Sequence, residues 1–207
     1  MAIVKKPSAE PIDRDERKRP RDCASLAAAL DDADAAARRW AARDLVDCPG
    51  SSEALVRRLR LEADSSVREV ILTTLTRLGD DVAVDGLVLC LRSEDAALRN
   101  EAIQAMKELP DEVAQLMSGI LVDPDPDVRI FAVNVLESLR HPQVEAWLIG
   151  VIDADPHVNV CGTAVDLLAE VGTGASRAAL RRVRDRFADD AYIRFAADLA
   201  LKRIEDD

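Results

Sequence analysis

From residue 22 to the end, small and apolar residues recur at the spacing of one helical face. With Arg38, Arg68, Arg99, Arg129, Cys161 and Arg194 as origins, position +7 is Leu45, Leu75, Met106, Leu136, Leu168 and Leu201. Position +10 is Cys48, Leu78, Leu109, Leu139, Val171 and Ile204, and position +3 is Ala41, Ile71, Ala102, Ala132, Ala164 and Ala197. Apolar residues at -1, +3, +4, +7 and +10 line one side of an α-helix. Each such helix is preceded by a shorter apolar segment, at 24–30, 54–61, 84–91, 113–122, 144–152 and 178–187, which predicts a first helix. Pro49-Gly50, Gly79, Pro110, Pro142 and Gly172 are read as stops after the second helix. The regular origins lie 30 or 31 residues apart. A period of that length signals stacked repeats, in which hairpins too small to fold alone bury one continuous core between neighbours.

The turns repeat as well. An aspartate stands four residues before each arginine: Asp34 and Arg38, Asp64 and Arg68, Asp95 and Arg99, Asp125 and Arg129, Asp190 and Arg194. Aspartate suits the start of a helix because its carboxylate accepts from unpaired backbone N–H groups and its charge suits the dipole. The fifth copy, from Asp155 to Val165, departs from the pattern: about two residues are inserted, and Asn159 or Cys161 takes the arginine's place. In the last repeat Asp198 stands at +4, where the inner repeats have Leu72, Ile103, Val133 and Val165, which reads as a cap with no seventh repeat over it.

The consensus D-x-x-V-R-x-x-A-V-x-x-L-x-x-L-G, clearest at Asp125-Pro126-Asp127-Val128-Arg129-Ile130-Phe131-Ala132-Val133 and Asp64-Ser65-Ser66-Val67-Arg68, resembles HEAT repeats of the short type found in phycobiliprotein lyases. The resemblance covers residues 22–207 and implies an all-α, right-handed α-solenoid of about six HEAT-like hairpins. It also implies that the paired Asp and Arg residues form a structural ladder between neighbouring turns. Function is not implied with the same force, since one repeat type builds adaptors, chromophore lyases, metal-dependent hydroxylases and DNA glycosylases.

Composition and charge narrow the classes. The chain is 48% apolar but only 3% aromatic, so its core is expected to be aliphatic, with helices close together. The net charge of -11 is unevenly distributed. Residues 1–21 carry seven bases and four acids, a net of +3, and residues 22–207 therefore carry -14. Residues 1–21 lack hydrophobic periodicity and read as a disordered, locally basic arm ahead of the 22–207 solenoid. So acidic a body disfavours nucleic acid and anionic membrane as partners. No leader-like apolar run and no membrane span is seen, so a cytoplasmic location is expected. Cys23, Cys48, Cys90 and Cys161 form no C-x-x-C pair and are expected to be reduced thiols.

Candidate chemistry is sparse. His157 and Cys161, four residues apart, could share a helical face as a ligand pair, but two ligands make no metal site and the other histidine is His141. The chain lacks the His-Glu dipeptides of HEAT-like hydroxylases, any phosphate-binding glycine loop and any nucleophile elbow. Arg39, Trp40 and Arg43 give only a local basic and aromatic signal. The second helices are expected to line the concave side, with Arg39, Arg43, Asn100, Gln104, Ile130, Asn134, Asp166, Phe195 and Leu199 pointing outward as a partner-binding face. The sequence therefore points to a non-catalytic adaptor or assembly factor, a monomer able to join a hetero-complex, that binds another protein with no cofactor or metal. The alternative is a phycobilin-lyase-like subunit or chaperone that places a prosthetic group on a partner protein.

Overall fold

A computed structural model describes residues 22–206, so the arm at 1–21 lies outside the described residues. The described chain is helical throughout: α1 Cys23–Ala29, α2 Ala35–Asp44, α3 Ser52–Leu59, α4 Ser65–Leu78, α5 Asp81–Cys90, α6 Ala96–Lys107, α7 Pro110–Ile120, α8 Pro126–Leu136, α9 Val144–Ala154, α10 Val158–Val171, α11 Arg177–Arg186 and α12 Ala191–Asp206. Successive helices pair into six hairpins. The second helices stack in order, α2 on α4, α4 on α6, α6 on α8, α8 on α10 and α10 on α12. A first-helix layer stacks beside them, α3 on α5, α5 on α7 and α9 on α11. The result is an α-solenoid.

The periodic positions are what the two layers bury between them. Leu45, Leu75, Met106, Leu136 and Leu168 are essentially inaccessible, as are Ala41, Ile71, Ala102, Ala132, Ala164 and Ala197. Small side chains set the spacing of the layers. At Gly86 in α5, an added Cβ would come within 2.2 Å of Val56 in α3, so only glycine permits that approach.

Two expectations are corrected. Pro110 follows the end of α6 but also opens α7, ahead of the start expected at residue 113, and its missing N–H is no loss because a first-turn donor has no partner within the helix. Cys23 and Cys48 are not reduced thiols but a disulfide, with a Cα–Cα distance of 5.6 Å. The first hairpin turns back on itself, so the short 3-10 segment Leu45–Asp47 delivers Cys48 beside the start of α1. Spacing along the chain could not reveal a pair made by the closing of a hairpin. Cys90 and Cys161 are free thiols, both buried.

Candidate functional site

The aspartates of the turns act first as helix caps. Asp34 accepts from the Ala36 amide at 3.1 Å, Asp64 from Ser66 at 2.9 Å, Asp95 from Ala97 at 2.8 Å, Asp125 from Asp127 at 2.9 Å and Asp190 from Ile193 at 2.9 Å. Arg38, Arg68, Arg99 and Arg129 do not bond the aspartate of their own turn, and each reaches a group in the next repeat. Arg38 makes a two-point contact with Glu62, its Nε at 2.7 Å and Nη2 at 2.9 Å, while Nη1 donates to the carbonyls of Asp32 and Ala33. Arg68 donates to Asp95 at 2.6 Å and lies 3.1 Å from Glu101. Arg99 donates to the Ser93 carbonyl at 2.6 Å and sits over the Phe131 ring, 5.2 Å from its centroid. Arg129 grips Asp155 with Nε at 2.6 Å and Nη2 at 3.0 Å, and its Nη1 donates to the Asp123 and Pro124 carbonyls. Arg194 is exposed and makes no such bridge among the described residues.

These contacts are electrostatically consequential because several are buried. Burial alone would push the Glu62 carboxyl up. The hydrogen bonds from Arg38, the Asp64 amide and Arg58 outweigh it and hold the group down at about 2. The carboxylate thus stays charged at 1% side-chain exposure, clamped by two guanidinium groups.

The irregular fifth repeat is resolved in space. Cys161 is fully buried, and its thiol donates to the Asp155 carbonyl at 3.3 Å. The guanidinium missing from the sequence position arrives from α11. Arg186 donates to the carbonyls of Asp153, Ile152 and Asp155 at 2.7, 2.8 and 2.9 Å, and its Nη2 lies 3.1 Å from Cys161 Sγ. Burial pushes the Cys161 thiol up, against the pull of Arg186. His157 occupies the position before α10 without a side-chain capping bond and is half-buried. No third side chain of ligand type joins the two into a metal-binding group among the described residues.

The outward positions of the second helices differ from end to end. Arg43 stacks on Trp40 at 4.2 Å and pairs with Asp44, and Arg39 is half-buried. Exposed Asn100 and Gln104 stand on α6, and Gln104 shares a shallow 550 Å³ groove with Glu69, Thr73, Glu101 and Glu108. Ile130 is half-buried and packs against the core rather than standing clear. Asn134 and Asp166 edge a 240 Å³ hollow together with Glu137, Thr163 and Glu170. Phe195 and Leu199 are exposed, and Tyr192 joins them, a residue the periodicity did not single out. The Tyr192 hydroxyl donates to Asp166, which pushes its pKa up to about 12.

A second opening lies in the first-helix layer. In α5 the residue before the buried Leu87 is Gly86. In α9 the residue before the buried Leu148 is Trp147, stacked on His141 at 5.0 Å. An indole cannot allow the close approach that glycine does, and α7 and α9 stand apart around a largely apolar 540 Å³ groove walled by Leu121, Val122, Trp147 and Val151.

Against known proteins, residues 113–202 match the family model of HEAT repeats. Over those residues the chain is a HEAT-like repeat protein. Its matched segment runs from the start of the fourth hairpin to the last helix and includes the irregular fifth copy. No curated protein matches the chain. Among solved structures the chain is similar to an engineered protein (20% identity, 90% of this chain and 98% of that one, TM-score 0.41). It is also similar to a designed armadillo repeat protein (14% identity, 88% and 100%, TM-score 0.38). A third is the complex of CpcE and CpcF of phycocyanin lyase from Nostoc sp. PCC7120 (17% identity, 99% and 100%, TM-score 0.38). No helix among the described residues is long and apolar enough to cross a membrane.

Proposed function

We propose that this chain is a non-catalytic scaffold that holds a partner protein on the face made by its second helices. The observation that carries the reading is the exposure of Phe195 and Leu199, 67% and 46%, on a helix whose other side is sealed by Ile193, Ala197 and Ala200. Large apolar side chains left in water on a rigid layer are the usual anchors of a protein interface. Asn100, Gln104, Asn134 and Asp166 supply hydrogen-bonding groups along the same layer, Arg39 and Arg43 lie at its first repeat, and half-buried Ile130 contributes an apolar edge.

A photo-crosslinking residue placed at Phe195, or at Leu89 on the first-helix layer, tests the choice of face in native extract. Adducts to a defined protein are expected from position 195. Phe195→Ala should weaken capture of that protein by about tenfold, the scale of an anchor residue, with Ile130→Ala weaker in effect. Adducts from position 89 alone would overturn the assignment.

A further inference from the structure

The partner's chemistry is narrowed by the last three repeats, and the narrowing rests on the partner-face reading above. Tyr192, Phe195 and Leu199 are spaced by three and four residues on α12, so they form one stripe, exposed by 54%, 67% and 46%. Gly162 makes room for it: a Cβ there would lie 3.2 Å from the Tyr192 ring, tighter than ordinary contact. The stripe continues into the hollow between α8 and α10 through the Tyr192–Asp166 hydrogen bond. The hollow's rim holds Glu137, Asp166 and Glu170. Neither Glu137 nor Glu170 has a bonded cation among the described residues. Arg194 and Lys202 lie on α12 itself and are exposed.

An apolar stripe and an acidic rim impose different demands on whatever covers them. The stripe asks for bulky apolar side chains. The rim asks for cations, because covering carboxylates with neutral or acidic surface removes their hydration without compensation. We infer that this surface takes an amphipathic segment of a partner protein, with apolar side chains against Phe195 and Leu199 and lysine or arginine beside them over Glu137, Asp166 and Glu170. The mode is that of an amphipathic segment lying in a groove, with charge fixing its register.

The test uses the full-length chain, NMR and two labelled model peptides: an amphipathic leucine–lysine helix, and the same peptide with every lysine replaced by glutamate. The lysine peptide should bind with shifts clustered at residues 137, 163, 166, 170 and 192–199. The glutamate peptide should bind at least tenfold more weakly. Phe195→Ala with Leu199→Ala, and separately Glu137→Gln with Glu170→Gln, should each weaken the lysine peptide about tenfold. These residues are exposed or line the hollow's edge, and circular dichroism confirms the fold of each variant. Equal binding of both peptides at these residues would overturn the basic requirement and leave the partner face standing. Shifts confined to the first-helix layer would overturn both. If the same residues are already shielded without peptide, a second copy or the chain's own basic residues 1–21 is the occupant, and the partner assignment fails.

Discussion

The junction between the fourth and fifth repeats and the junction between the fifth and sixth meet one need by opposite routes. At the first, Arg129 comes from the second helix, caps the carbonyls of its own turn and grips Asp155 of the next. At the second, the corresponding helix offers only buried Cys161, and Arg186 reaches back from the following first helix onto the carbonyls of residues 152, 153 and 155. Asp155 belongs to both junctions, with its carboxylate held by Arg129 and its carbonyl by Arg186. Common to these two junctions is a guanidinium on the turn carbonyls, because a helix end leaves backbone acceptors that water or a donor must satisfy. The position from which it arrives is secondary. The routes differ in burial: Arg129 is 11% exposed at its side chain and paired with a carboxylate, whereas Arg186 is largely exposed and serves neutral acceptors.

The largest effect is therefore expected at Arg129. Arg129→Ala leaves Asp155 buried and unpaired, a loss of about 3–5 kcal/mol in urea unfolding. The double variant with Asp155→Ala should lose clearly less than the sum of the two single changes, and strict additivity would dissolve the pair.

Next comes Glu62, the clamped carboxylate of the first ladder junction. Its pKa in the fold lies below its ordinary value, so its contribution is complete above pH 4.5 and is lost as pH falls towards about 2. Glu62→Gln should cost about 2 kcal/mol at neutral pH and flatten the stability profile over that acid window. A variant that keeps the wild-type acid slope would remove Glu62 from the account.

The smallest effect belongs to the substitute arginine. Arg186→Ala removes hydrogen bonds to neutral acceptors at an exposed site and should cost about 1 kcal/mol, with faster amide exchange around residues 152–157. A loss as large as that of Arg129→Ala would show that the two routes are equivalent in energy as well as in geometry.

The same contrast explains what could be read in advance. Six hairpins, their aspartate caps and the buried rows at +3 and +7 were legible because each rests on local rules of spacing and capping. Placement of the outward positions was legible only in part: Phe195 and Leu199 stand in solvent, but Ile130 lies against the core. Tyr192 was not visible as part of that face because its ring lies against Gly162, thirty residues earlier on the neighbouring helix α10.

By itself, the sequence determined the repeat: a 30- to 31-residue period of helical faces and turn aspartates, which is information carried by neighbours along the chain. Tertiary structure alone decided which groups meet across repeats. It brought Cys48 to Cys23, put Arg186 where the fifth repeat lacks its arginine, parted α7 from α9 at Trp147, and joined Tyr192 to Asp166 beside the exposed stripe. Those meetings follow from how whole helices stack, and stacking distance and rotation are set by side chains a full repeat apart.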